Sequence, residues 1–240
     1  MSHLIGKDAH AIICDLGERL SEGSILHFFS PAAKQTLRAR VEAVRGCCDV
    51  VRRATQLSKS VGIPFWDAVS ISCLGVGNRA AALLSAALFH HAEAARVWEM
   101  KVECLSPATL SEVEAELSQG SSISLSSLVT HDRNPPQHIP MLDFACSVGD
   151  ENRALVVSAI ELLNVGGGYL LVSGRSYHFY GAKLLSSSAV SQFLGRALLL
   201  AHIVDHRWIA HQLIRGYCSL RISPGNGSRA RPTVVSIIGA

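Results

Sequence analysis

The 240-residue sequence lacks any apolar run long enough to cross a bilayer. Its longest, Ala80 to Phe89, is bounded by Arg79 and His90, well short of the roughly 20 residues a spanning helix requires. Met1 to His10 contains no apolar stretch of the kind that opens a secretory signal. No membrane association and a cytoplasmic location are therefore expected. Charge is scarce too: 17% charged residues against 48% hydrophobic ones excludes a disordered chain, which would be charge-rich and apolar-poor. The seven cysteines (14, 47, 48, 73, 104, 146 and 218) form no CxxC pair and their number is odd. That excludes a disulfide scaffold or a zinc ribbon, and free buried thiols in a reducing compartment are expected. There is no internal repeat and no collagen-like period. What is left is a globular chain able to bury a sizeable core without cross-links, as one large domain or two small ones. Its apolar excess marks a candidate surface for a partner.

The net charge of +3 is unevenly spread. Residues 1–130 hold 12 basic and 13 acidic residues, and residues 131–240 hold 10 and 6. After Glu161 the chain carries Arg175, Lys183, Arg196, Arg207, Arg215, Arg221, Arg229 and Arg231 against a single acid, Asp205. A basic half points to a polyanionic partner such as nucleic acid or nucleotide. Arginine outnumbers lysine 17 to 5, which suits bidentate phosphate contacts but is also what a GC-rich genome produces.

Hydrophobic spacing makes the first half mainly helical. Leu37, Val41, Val44, Cys48, Val51 and Ala54 recur at helical intervals after Ser30-Pro31. A second helix is expected from Arg79 to Val102 behind Asn78, and a weaker one after Ser106-Pro107, with a capping box at Ser111-x-x-Glu114. Gly120 to Ser127 reads as a serine-rich loop or edge strand, so the domain boundary is placed near 118–138. The second half alternates. Strands are expected at 138–146, 168–173, 177–180, 217–223 and 233–238, with helices at 150–164, 188–201 and 205–215, the last stopped by Gly216. The expected fold class is α+β: a sheet covered by helices over 131–240, preceded by a helical region over 1–130.

Several residues stand out chemically. Asp143 interrupts an apolar strand, where a carboxylate is costly unless something binds it. It is either a strand-end Asp facing solvent or a metal ligand. Asp205 either caps the helix that follows or is a second metal ligand. Two carboxylates from separate segments among basic residues are what two-metal phosphoryl chemistry uses. Ser173, Gly174, Arg175 and Ser176 form a turn whose hydroxyls and N–H groups suit an anion, with His178 just beyond it; a plain hairpin with a surface histidine accounts for the same residues. His202, His206 and His211 have part of a metal-binding spacing but no accompanying zinc motif. His90-His91 fits a helix end, and Cys47-Cys48, Trp66 and Trp98 fit a core. Trp208 either packs its helix or stacks a base.

Three segments in order resemble the archaeo-eukaryotic primase superfamily: Met141-Leu142-Asp143-Phe144, Ser173-Gly174-Arg175-Ser176-Tyr177-His178-Phe179-Tyr180, and Val204-Asp205-His206-Arg207-Trp208, followed by Leu220-Arg221-Ile222-Ser223. The resemblance covers about 131–240 and is greatest to small bacterial primase-like proteins. It implies an RRM-like palm. It also implies that Asp143 and Asp205 hold Mg2+ or Mn2+ and that His178 contacts the triphosphate of an incoming nucleotide. Lys183 and Arg221 join the nucleotide-binding set by charge and placement. One departure matters: the family's first motif has two acids one residue apart, and here the second falls on Ala145; Asp150 or Glu151 is a candidate substitute. Three readings follow. One is a primase-like nucleotidyltransferase acting on nucleoside triphosphates and DNA or RNA. Another is a catalytically reduced palm that binds nucleic acid, nucleotide or a protein partner within a larger machine, the helical first half serving as docking surface. The last is a helical interaction protein whose second half matches by accident.

Overall fold

A computed structural model describes residues 2–31, 42, 44, 48–74, 82–84, 94–117, 121–224 and 230–239. The chain divides into two compact units, Met1–Pro31 with Ala94–Ala240, and Ala32–Glu93. The division does not fall near 118–138 as expected. The reason is the strand pairing: β1 (Ile25–Pro31), β2 (Ala94–Lys101) and β3 (Ser124–His131) join one sheet, so the early chain belongs with the late chain.

The smaller unit is helical among its described residues. α2 (Cys48–Val61) and α3 (Phe65–Cys73) bury Val50, Val51, Ala54, Ala68, Val69, Cys73 and Leu83 together. Trp66 lies on α3, Cys48 is exposed rather than core, and Cys47, His90 and His91 lie outside the described residues.

The larger unit is α+β, with all its strand pairings antiparallel. In the first sheet the order is β2-β1-β3-β4-β8, where β4 is Asn134–His138 and β8 is Leu185–Ser186, and β9 (Ser219–Arg221) also pairs with β3. The helix expected over 79–102 gives way to β2 at its end. In Ala94–Lys101 Trp98 and Met100 turn toward the core while Val97, Glu99 and Lys101 are exposed, and the segment pairs along all of β1, so cross-strand packing overrides helical propensity. The serine-rich segment expected as a loop or edge is the central strand β3. Ser126 and Ser127 are buried, and Ser127 Oγ accepts from the Cys218 N–H, which satisfies polar groups inside the sheet.

The second sheet runs β10-β6-β7-β5: β5 is Met141–Asp143, β6 Gly168–Val172, β7 Tyr177–Gly181 and β10 Thr233–Ile238. β6, β7 and β10 agree closely with the expected strands, but the strand expected over 138–146 is divided: His138 ends β4 in the first sheet, and only Met141–Asp143 forms β5 in the second. One core joins both sheets to α1 (Ala9–Glu18), α5 (Asp150–Leu163) and α6 (Ser187–Leu198), through Ile12, Ile13, Val156, Ile160, Phe193 and Leu194. α4 (Pro107–Ala115) starts at Ser106, whose side chain accepts from the Thr109 N–H. α7 (His206–Arg215) starts at Asp205 and ends at Gly216 in the left-handed region, φ 81. No helix among the described residues is long and apolar enough to cross a membrane.

The basic stretch after Glu161 does not form one continuous basic face. Arg231 is bonded to Asp8 and Glu114, both at 2.9 Å, and to Ser111. Arg215 lies over the Phe29 and Tyr217 rings, Arg221 is turned inward, and Arg229 lies outside the described residues. Arg175, Lys183 and Arg196 remain exposed.

Candidate active site

The register of β5 on β7 sets Asp143 directly opposite His178 and Met141 opposite Tyr180. Side chains two apart on a strand share a face, so Asp143, His178 and Tyr180 project together. β9 of the first sheet lies against β5 and brings Arg221 to the same place. The Arg221 guanidinium donates to the carbonyls of Ser173 and Ser223, tying it to the start of the Ser173–Ser176 turn. Burial lowers its pKa, while the nearby Tyr180 and Asp143 act the other way.

Asp205 enters through the backbone. Its N–H donates to the Asp143 carbonyl at 2.9 Å, next to a bridge between Phe144 and Val204. The acids of the first and third motifs, 62 positions apart in sequence, are therefore joined main chain to main chain. The Asp205 Oδ1 accepts from the N–H groups of Arg207 and Trp208, at 3.0 and 2.9 Å. Asp205 is thus the expected N-cap, and its Oδ2 takes no hydrogen bond among the described residues. Trp208 packs: its indole N–H donates to the Ser219 carbonyl at 3.1 Å.

His178 is buried, its side chain 8% exposed, with Nε2 3.7 Å from the Asp143 Oδ1. That is longer than a hydrogen bond. Burial, reinforced by the charge of Arg221, pushes its pKa down to about 3, against a smaller opposing pull from the Arg221 backbone. The imidazole is therefore neutral at pH 7, and its buried Nδ1 has no hydrogen-bond partner. Burial also raises the Tyr180 hydroxyl well above its ordinary value. In this conformation His178 lies within the sheet beside Asp143 and is not presented at the surface.

The turn before it is exposed at Gly174 and Arg175. Gly174 has φ 125, a conformation few side chains accept. The Ser173 N–H donates to the Ser176 carbonyl at 2.9 Å, and the Val148 N–H to the Arg175 carbonyl at 3.2 Å. The Tyr177 hydroxyl both donates to the Gly149 carbonyl and accepts from the Gly149 N–H, at 2.9 Å each. The loop that follows Asp143 is thereby fastened alongside the turn. The two candidate substitutes for the missing acid, Asp150 and Glu151, both lie on the exposed start of α5, where Asp150 pairs with Arg153 at 3.0 Å. Ala145 donates its N–H to Ile203 and offers no ligand.

Lys183 is not part of this group. It lies two residues past β7, in the bend that follows the strand, and it lines a different cavity. His202 precedes α7 and so does not share its helix with His206. No group of three or more metal-ligating side chains is present among the described residues. Sequence reasoning passed over Tyr180 as a site neighbour; its two-residue offset from His178 on an apolar strand was the signal.

An α+β scaffold that joins a strand-borne Asp, a small-residue turn followed by His, and a helix-capping Asp defines a primase-type palm. The chain belongs to the archaeo-eukaryotic primase-like family: residues 101–234 match the family described as AEP-like, archaeo-eukaryotic primase 1D-like. No curated protein and no solved structure matches the chain at a significant level.

Proposed function

We propose that this protein is a catalytically reduced primase palm that binds a nucleoside triphosphate with one divalent cation, and does not polymerise. The observation that supports this most is the backbone joint between Asp143 and Asp205, beside Arg221 and the Ser173–Ser176 turn. Mg2+ is ordinarily held by one or two carboxylates together with substrate phosphates and water. Asp143 and the unengaged Oδ2 of Asp205 fit that requirement for one Mg2+ or Mn2+. They do not fit two ions, because Ala145 removes the further carboxylate and Asp205 spends Oδ1 on its helix. The bound ion would neutralise phosphate charge. Arg175 and Arg221 would add charge-assisted contacts, and neutral His178 would hold Asp143 and Arg221 in place. Among the described residues a second ion to activate an attacking hydroxyl has no ligand set, which favours binding over nucleotidyl transfer.

Asp205→Asn is the informative variant, because asparagine caps a helix about as well as aspartate while removing the charge. Calorimetry with ATP and Mg2+ should detect binding to the wild type and at least tenfold weaker binding to Asp205→Asn. Neither protein should extend a primed template in Mg2+ or Mn2+. Equal binding by both proteins would overturn the site. Extension by the wild type that Asp205→Asn abolishes would make the protein an active nucleotidyltransferase instead.

A further inference from the structure

α5 and α6 are neighbours on the core, and each leaves one face exposed. Leu162 on α5 and Leu199 at the end of α6 are the two most exposed large apolar side chains among the described residues, at 79% and 81%. Leu155 lies seven positions before Leu162, on the same side of α5, and is 55% exposed. The small residues Ala154 and Ser158 are exposed beside them. Single exposed leucines are ordinary on a protein surface, but these three stand on two neighbouring helices.

The outward face of α6 is shallow. Ser188, Ser191 and Gly195 follow at helical intervals, all exposed, and Leu199 continues the row. Gly195 stands inside the helix, where glycine is a poor choice. Its φ is not left-handed, and a methyl group there would meet nothing within 4 Å. Nothing inside the chain calls for a glycine at 195, whereas a helix pressed closely against this face would. The two helices also differ in charge. α5 carries Asp150, Glu151 and Glu161 against Arg153, and α6 carries Arg196 and no acid. Arg196 serves the last turn of its helix, and its side chain stays exposed.

We propose that a second copy of this chain covers this face, in a two-fold dimer in which α5 of each copy lies on α6 of the other. α5 presents leucines among acids, and α6 presents a shallow row beside a cation. Because the two helices are neighbours, one two-fold axis makes both contacts at once, which is the isologous arrangement. Leu155 and Leu162 would enter the row at Ser191 and Gly195, and Arg196 would face the acids of the opposite α5. Pairing α5 with α5 would instead set acids against acids. Two helix pairs make a contact at the small end of specific interfaces, so a dissociation constant in the micromolar range is expected. No residue of the triphosphate site takes part, so the inference stands apart from that reading.

Size-exclusion chromatography with light scattering on the full chain reads the mass directly. The wild type should have twice the 25.7 kDa of a single chain at about 100 μM and approach the single-chain mass at about 1 μM, as a micromolar equilibrium requires. Leu162→Ser/Leu199→Ser should stay a single chain at both concentrations. Gly195→Gln fills the row with a better helix former, so it should melt no lower than the wild type and yet fail to pair, a combination that a folding defect does not produce. Arg196→Glu should weaken pairing at least about tenfold. A wild type that remains a single chain at about 100 μM, or a dimer that any of these variants leaves intact, would overturn the pairing. Growth past the dimer would overturn it too, because it marks a head-to-tail contact.

Discussion

Lowering the pH from 7 to 5 is expected to cost this protein about 4 kcal/mol of folding stability, most of it through two buried histidines. His10 is fully buried on α1, and burial together with the charge of Arg231 pushes its pKa down to about 4. Its Nε2 is 3.4 Å from the Glu114 Oε2, but Arg231 already holds that same oxygen at 2.9 Å. The carboxylate is therefore neutralised before the imidazole needs a charge. His178 is held at about 3 for the reasons given above. In the unfolded chain both would take a proton near pH 6.5. Between that value and their folded values the unfolded state binds more protons, so stability falls as pH drops. The loss amounts to about 2 kcal/mol for each histidine by pH 5. Burial also lowers His138, which adds in the same direction. Urea denaturation at pH 7, 6 and 5 measures the slope. His10→Leu and His178→Leu should each flatten it by about 2 kcal/mol over this range, whatever they do to stability at pH 7. A wild-type loss below about 1 kcal/mol would mean that these rings are solvated or charged in the folded protein.

The same two histidines mark what the sequence could and could not reveal. Short apolar runs bounded by turn residues were enough to locate β5, β6 and β7, and with them the strand positions of Asp143 and His178. The cap at Asp205 and the stop at Gly216 were readable because capping is local chemistry. The first sheet was much less readable. Its middle strand, Ser124–His131, is rich in serine and gains its place only by pairing with β1, β4 and β9, partners up to about a hundred positions away. Arg221 shows the same limit. Its charge made it a phosphate candidate, but its inward turn depends on β9 pairing with β3 and on carbonyls at Ser173 and Ser223. Arg231 looked like part of a basic face and is instead the centre of a network reaching back to Asp8. Side chains that long-range pairing brings together leave no period or spacing for a reader of the sequence.

Gly168→Ala is expected to destabilise the protein by about 3 kcal/mol or more, at the upper end of what overpacking costs. Gly168 opens β6 opposite Gly181 on β7 and Ile238 on β10. A methyl group there would lie 2.3 Å from the Tyr180 carbonyl oxygen, 2.7 Å from the Phe179 ring and 2.9 Å from the Gly181 Cα. Two of those atoms are main chain, so no rotamer change relieves the clash, and β6 must move away from β7. That movement strains the register in which Leu171 faces His178, and through His178 the position of Asp143 on the next strand. The expected fall in melting temperature is roughly 6–12 °C for a protein of this size. Binding of ATP with Mg2+ should weaken along with it, although Gly168 touches neither Asp143 nor Asp205. Gly195→Ala is the matching control. A methyl group at Gly195, on the exposed side of α6, meets nothing within 4 Å. It replaces a poor helix former with the best one, so it should stabilise by about 0.5–1 kcal/mol. Opposite signs for the same chemical change would tie the effect to the approach of β6 on β7. A Gly168→Ala protein within about 1 kcal/mol of wild type would mean that the two strands are farther apart than the clash requires, and would loosen the support assigned to the Asp143–His178 pair.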